Sequence, residues 1–135
     1  MGKIICLYGL PACGKTTQLE RLVKELGASQ FGMGERLRAE IQTGSELGQQ
    51  IKTYVDQGLL INDELMKKVI ENVGEEIKNN SMVFDGFPRM LSQALMLDNI
   101  SDELSAPLSF FYLKISREEA VNRIAARSEI GGRAD

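Results

Sequence analysis

Residues 9–18 read GLPACGKTTQ, and they lie between an apolar run, residues 3–8 (KIICLY), and a stretch of helical periodicity. Gly9, four residues, then Gly14-Lys15-Thr16 is the spacing G-x-x-x-x-G-K-[ST] of a phosphate loop. In such a loop successive backbone N–H groups and the following helix N-terminus converge on an anion. The lysine reaches the terminal phosphates, and the hydroxyl can ligate Mg²⁺. The context agrees with the motif. The preceding run is short and apolar, as a buried parallel strand should be. After the loop, Leu19, Leu22, Val23 and Leu26 recur at i, i+3, i+4 and i+7, and Gly27 supplies a helix stop. The bland alternative is a glycine-rich connecting turn, which the complete motif between strand and helix disfavours.

The rest of the composition narrows the partners. At 135 residues the chain is one domain, large enough to bury a core, with 43% hydrophobic and 26% charged residues. A formal net charge of −3 offers no basic surface for nucleic acid or an anionic membrane, so a polyphosphate must be captured by a local cluster. No apolar run approaches the roughly 20 residues that span a bilayer, and the start, MGKIICLYG, runs into the phosphate loop instead of a cleavage site. A cytoplasmic protein is the expectation. The two cysteines, Cys6 and Cys13, match neither a disulfide framework nor a zinc site, and there is no histidine.

Apolar periodicity and breakers predict strands over 3–8, near Gln30, 81–84 and 108–114. They predict helices over about 14–26, 34–42, 46–57, 63–78, 90–98 and 117–127. Strands separated by helices indicate an α/β fold with a parallel sheet covered on both faces. Asn62 or Asp63 can cap a helix whose apolar positions are Leu65, Met66, Val69, Ile70, Val73 and Ile77. Ser116 and Glu119 form a capping box ahead of Ala120, Val121 and Ile124, a stripe expected to be core.

A second constellation, SMVFDGFPR (81–89), places an apolar strand before Asp85. An aspartate before glycine is often a plain turn residue. Paired with a phosphate loop, a carboxylate ending a strand is the Mg²⁺-associated group, usually acting through metal-bound water.

DGFPR followed by Gln93, together with GMGERLRAEI, GSELGQQIKTYVDQGLLINDEL and the phosphate loop, resembles adenylate kinase, within the nucleoside monophosphate kinases. The resemblance runs from Lys3 to Asp135. It implies a three-layer P-loop nucleoside-triphosphate-hydrolase-like fold and reversible transfer of the terminal phosphate of ATP·Mg to AMP, giving two ADP. On this resemblance residues 1–29 and 62–127 are the core, 30–61 an AMP-binding segment and 128–135 the start of a lid. Gly9, Pro11, Ala12, Cys13, Gly14, Lys15, Thr16 and Thr17 would hold ATP, with Lys15 on its β- and γ-phosphates. Arg38 and Arg89 would grip the acceptor phosphate, Gln93 would read adenine, and Met33, Gly34, Leu60, Ile61 and Gly86 would line the acceptor pocket. Arg123 matches the arginine over the ATP base and Arg127 one that contacts phosphate; four apart on a predicted helix, they share a face. Mg²⁺ is the implied cofactor, held by Thr16 and Asp85. The implied partners are ATP, AMP and ADP, with neither nucleic acid nor membrane, and a monomeric full-length protein.

Four features depart from the family pattern. Ala12 stands where glycine is usual, which strains a loop needing positive φ and would weaken ATP binding. GKTT replaces GKGT, so Thr16 can ligate Mg²⁺ directly while Thr17 matches the retained threonine; GKTTQLERL is also similar to thymidylate kinases. Met33 replaces a threonine and offers a base only a weak acceptor, leaving acceptor choice mainly to Gln93. The sequence ends at GGRAD, where Arg133 matches a lid arginine, so the remaining lid, last strand and C-terminal helix are expected to lie outside this chain, leaving 108–114 an exposed edge. These departures keep two alternatives open: a UMP/CMP or thymidylate kinase, and a catalytically impaired nucleotide-binding domain. Cys13, beside Lys15 and a helix N-terminus, is either a small loop residue or an acidified, reactive thiol.

Overall fold

A computed structural model describes residues 2–10 and 14–129, with side chains to residue 126. Four strands form one sheet: β1 (Ile4–Gly9), β2 (Ser29–Phe31), β3 (Met82–Asp85) and β4 (Leu108–Leu113). Their spatial order is β2-β3-β1-β4 and every pairing is parallel, with Ile4 opposite both Met82 and Leu108. The connections are helical: α1 (Lys15–Leu26), α2 (Met33–Gln42), α3 (Glu46–Asp56), α4 (Asp63–Ile77) and α5 (Leu91–Leu104), with α6 (Arg117–Glu129) after β4. The α/β fold read from the alternation of elements is the fold observed.

Strand side chains alternate between the two faces of the sheet, so each central strand feeds two cores. Ile4, Cys6, Met82 and Phe84 join the larger core, with Met66, Val69, Ile70, Val73 and Ile77 of α4, Leu97 and Ile100 of α5, and Ile51 of α3. Ile5, Leu7 and Val83 face the other way, onto Leu19, Leu22 and Val23 of α1. In the larger core Phe31, Phe84 and Phe87 form an aromatic cluster with ring centroids 4.9–5.5 Å apart. Burial of each such ring contributes about 2–3 kcal/mol. The Cys6 thiol lies in this core, and burial pushes its pKa from 9.0 to about 12.

The helix ends follow the expected chemistry. Asn62 caps α4 by accepting from Leu65 N–H at 2.9 Å, and Gly27 ends α1 in the left-handed region at φ 61°. Ser116 Oγ accepts from Glu119 N–H at 3.1 Å.

Two expectations need correction. The helix predicted to stop near residue 98 continues to Leu104, through Asn99, Ser101 and Asp102, which favour helix weakly. Packing decides it, because Ile100 is buried against Gly74 of α4. The Ala120, Val121, Ile124 stripe is only partly core. Ala120 is buried and Ile124 half-buried, but Val121 is 57% exposed; beside α6 in sequence, β4 is the last strand of the sheet, with β1 its one partner among the described residues. That edge carries Phe110, Phe111 and Tyr112, all exposed.

Candidate functional site

In a parallel sheet the crevice outside the carboxyl ends of the strands is where ligands bind. Here those ends deliver Gly9 from β1, Gly32 just after β2 and Asp85 from β3. Between them lies a cleft of about 530 Å³ lined by Gln30, Gly32, Met33, Gly34, Glu35, Arg38, Leu60, Asp85, Gly86, Phe87, Arg89, Met90 and Gln93.

The 86–89 turn is shaped by its own hydrogen bonds. Gly86 adopts φ 64°, and a Cβ there would come within 2.8 Å of Arg89 Nη2, so glycine is needed both for the conformation and for the approach of the guanidinium. Arg89 Nε–H donates to Gly86 O at 2.7 Å, and Arg89 N–H donates to Gln93 Oε1 at 2.9 Å. Gln93 is 6% exposed and is the one buried polar side chain among the described residues. With its carbonyl oxygen engaged, its amide nitrogen is the group left to meet a ligand. Arg38, on α2, lies across the cleft with Nη1 close to Gly34. Neither Arg38 nor Arg89 has a carboxylate partner among the described residues, so two cations face one cavity. That is an arrangement for an anion.

At the loop-to-helix junction Gly14 sits at φ 90° and opens α1 without a side-chain cap, leaving the first N–H groups for a ligand. Lys15 Nζ lies 3.0 Å from Asp85 Oδ1, joining the start of α1 to the end of β3. Among the described residues that Oδ1 is buried and receives no hydrogen bond, so the carboxylate keeps acceptor capacity beyond the ion pair. Thr16 and Thr17 are exposed in the first turn of α1. One carboxylate with hydroxyls and open space suits Mg²⁺, which prefers oxygen ligands and retains waters; no group of three or more His, Cys, Asp or Glu occurs among the described residues. Arg123, on α6, reaches over this junction: its Nη1 is 3.8 Å from where a Cβ on Gly14 would stand, while its Nε–H donates to Glu119 Oε1 at 2.8 Å.

The structure therefore gathers Met33, Gly34, Arg38, Leu60, Asp85, Gly86, Arg89 and Gln93 in one cleft, and Gly14, Lys15 and Arg123 beside it. Ile61 is not among the lining residues; its side chain packs on the larger core, because the chain turns inward there to start α4. Pro11, Ala12, Cys13, Arg133 and the side chain of Arg127 lie outside the described residues. Sequence reasoning missed Gln30, Gly32, Glu35, Phe87 and Met90 as cleft residues. The position of Gln30 and Gly32 at the carboxyl end of a parallel strand was the available signal for those two.

Comparison with known proteins agrees with this geometry. The family model described as adenylate kinase matches residues 7–132. Among similar curated proteins are the adenylate kinases of Bacteroides fragilis, 40% identical over 136 residues, and of Bacteroides thetaiotaomicron and Caulobacter vibrioides, each 40% identical over 133 residues. Each match covers 97% of this chain and 70% of the relative. A match that runs from the last residues of β1 through the anion-facing cleft and the whole of α6 leaves the assignment plain: this chain belongs to the adenylate kinase family.

Proposed function

We propose that this chain transfers the terminal phosphate of ATP to AMP, reversibly, giving two ADP. The observation that carries the reading is the pair of guanidinium groups, Arg38 and Arg89, which have no carboxylate partner among the described residues and face a cleft lined also by the buried Gln93. The cations would take the acceptor phosphate and the amide a ring nitrogen of its base. Lys15, with the N–H groups that open α1, would hold the donor's β- and γ-phosphates, and Arg123 would lie over the donor nucleotide.

No covalent intermediate is required. Charge in the transition state spreads over the equatorial oxygens of the transferred group, so positioning and cationic stabilisation supply the catalysis. Lys15 must leave Asp85 to meet the phosphates, and that exchange frees the carboxylate at the point where the donor and acceptor sites join. Thr16 and Asp85 would hold Mg²⁺, which neutralises charge on the phosphates when bound. Residues 30–61, containing α2 and α3, would form the acceptor segment, and 128–135 the start of a lid that keeps water from the reacting phosphate. Residues 1–29 and 62–127 would be the core, and Ile61 is assigned to packing. A cytoplasmic location and a monomeric state belong to the same proposal.

The test is a coupled assay of ADP formation from ATP·Mg with AMP, UMP, CMP and dTMP in turn. AMP should give a kcat/KM at least about tenfold above the others, the discrimination that one misplaced polar contact produces. Equal or better turnover with a pyrimidine would replace AMP as acceptor. Nucleotide binding without transfer to any acceptor would reduce the chain to a binding domain.

A further inference from the structure

Tyr8 is the penultimate residue of β1, next to Gly9, and matches none of the phosphate-binding patterns. Its hydroxyl donates a 2.8 Å hydrogen bond to the carbonyl of Pro88, 80 residues away. Pro88 has no N–H of its own, so this carbonyl is its sole backbone hydrogen-bonding group. The next residue is Arg89. Around it, the bonds from Arg89 to Gly86 O and Gln93 Oε1 span three and four residues, and so fix the shape of the turn without fixing where the turn sits. Its place on the sheet is set by the Phe87 ring in the aromatic cluster and by two bonds to adjacent residues of β1: Gly86 N–H donates to Leu7 O at 2.9 Å, and Pro88 O accepts from Tyr8.

The tyrosine is itself well held. Its ring packs against the larger core and lies 6.4 Å from the Phe110 ring, at 21° to it. Burial, and secondarily the Cys6 thiol, push its pKa up to about 12 against the opposing influence of the Arg89 guanidinium, so the hydroxyl remains a donor throughout the neutral range.

We propose that Tyr8 is a positioning residue for the acceptor phosphate: its hydroxyl anchors the Pro88 carbonyl and thereby fixes the start of the Arg89 side chain at the floor of the cleft. This rests on the assignment of Arg89 to the acceptor phosphate made above. A tyrosine present only to fill the core would be replaced by phenylalanine without consequence for any ligand. Removing an anchor would weaken AMP binding and leave ATP·Mg binding alone, at the cost to the fold of one hydrogen bond.

Calorimetric titrations of the wild-type chain, Tyr8→Phe and Tyr8→Leu with AMP, and separately with ATP·Mg, decide between these, alongside thermal unfolding of each protein. Tyr8→Phe should raise the Kd for AMP about 3- to 10-fold, the effect of one uncharged hydrogen bond, with the Kd for ATP·Mg changed less than about twofold and Tm lowered by no more than a few degrees. Tyr8→Leu should show the same loss for AMP together with a lower Tm. In an Arg89→Ala background, Tyr8→Phe should cost AMP nothing further, because the anchor acts through that guanidinium. Unchanged AMP binding in Tyr8→Phe, equal losses for both nucleotides, or an undiminished loss in the Arg89→Ala background would each overturn the proposal. A wild-type chain that binds ATP·Mg but not AMP would instead overturn the acceptor assignment, and this inference with it, before any variant is compared.

Discussion

At the β2 side of the sheet Phe31, Phe84 and Phe87 are at most 2% exposed, whereas at the β4 side Phe110, Phe111 and Tyr112 are 52–59% exposed. Both groups are aromatic residues on or just after strands, so residue type does not separate them. Position does. β3 lies between β2 and β1 with helices against it, while β4, among the described residues, has a neighbour strand on one side only. The cleft proposed for the acceptor is built on the covered side, where packing holds Gln93 and the 86–89 turn in place. Arg123, proposed for the donor, rides on α6, whose Ala120 is its one buried apolar residue among those with described side chains. The cleft is thus set by the larger core; beside it, Lys15 stands on α1, which packs on the second core, and Arg123 alone is carried by a lightly anchored helix.

The largest effect that would break this contrast is in stability. Phe84→Ala should cost about 3–5 kcal/mol in urea unfolding, from lost transfer free energy and a cavity, while Phe110→Ala should cost about 1 kcal/mol or less. Similar values for the two would mean that the sides are equally packed. Next comes the junction of the halves. Lys15→Ala should lower kcat for ADP formation about 10²- to 10³-fold with little change in KM for AMP, because a cation on the transferring phosphate acts mainly in the transition state. Arg89→Ala should do the reverse, raising KM for AMP about 10- to 100-fold, as expected for a charged contact, with a smaller change in KM for ATP. A shared KM effect would erase the division between donor and acceptor sides.

The smallest effect is a pH dependence confined to the covered side. Cys6 has its pKa raised by burial from 9.0 to about 12. Between those values the unfolded chain has released a proton that the folded chain keeps, so the stabilisation is complete below pH 9 and is lost as pH rises toward 12. The urea midpoint should therefore decline from pH 9 to 10.5, and less steeply in Cys6→Ala. An equal slope in the variant would place the titration elsewhere.

What the sequence made legible follows the same division. The phosphate-loop motif, Asn62 and Gly27 are local signals, since a few neighbouring residues determine each, whereas Asp85 drew its reading from being paired with that loop. The length of α5 was not legible, because Asn99, Ser101 and Asp102 argue for a stop that Ile100, buried against α4, overrides. Val121 was misread because periodicity identifies a face but not whether anything covers it. Ile61 and Leu60 are neighbours in an apolar pair, and only the path of the chain sends one to the core and the other to the cleft. Tyr8 was invisible as an anchor because its partner lies 80 residues away.

The central claim is that this chain moves a phosphate between two nucleotides and not to water. Phosphorus NMR of the chain mixed with equimolar ATP·Mg and AMP tests it directly. The account predicts that ATP and AMP signals fall together as ADP signals grow, with no inorganic phosphate and no reaction in Lys15→Ala. Loss of ATP with accumulation of inorganic phosphate and undiminished AMP would contradict it.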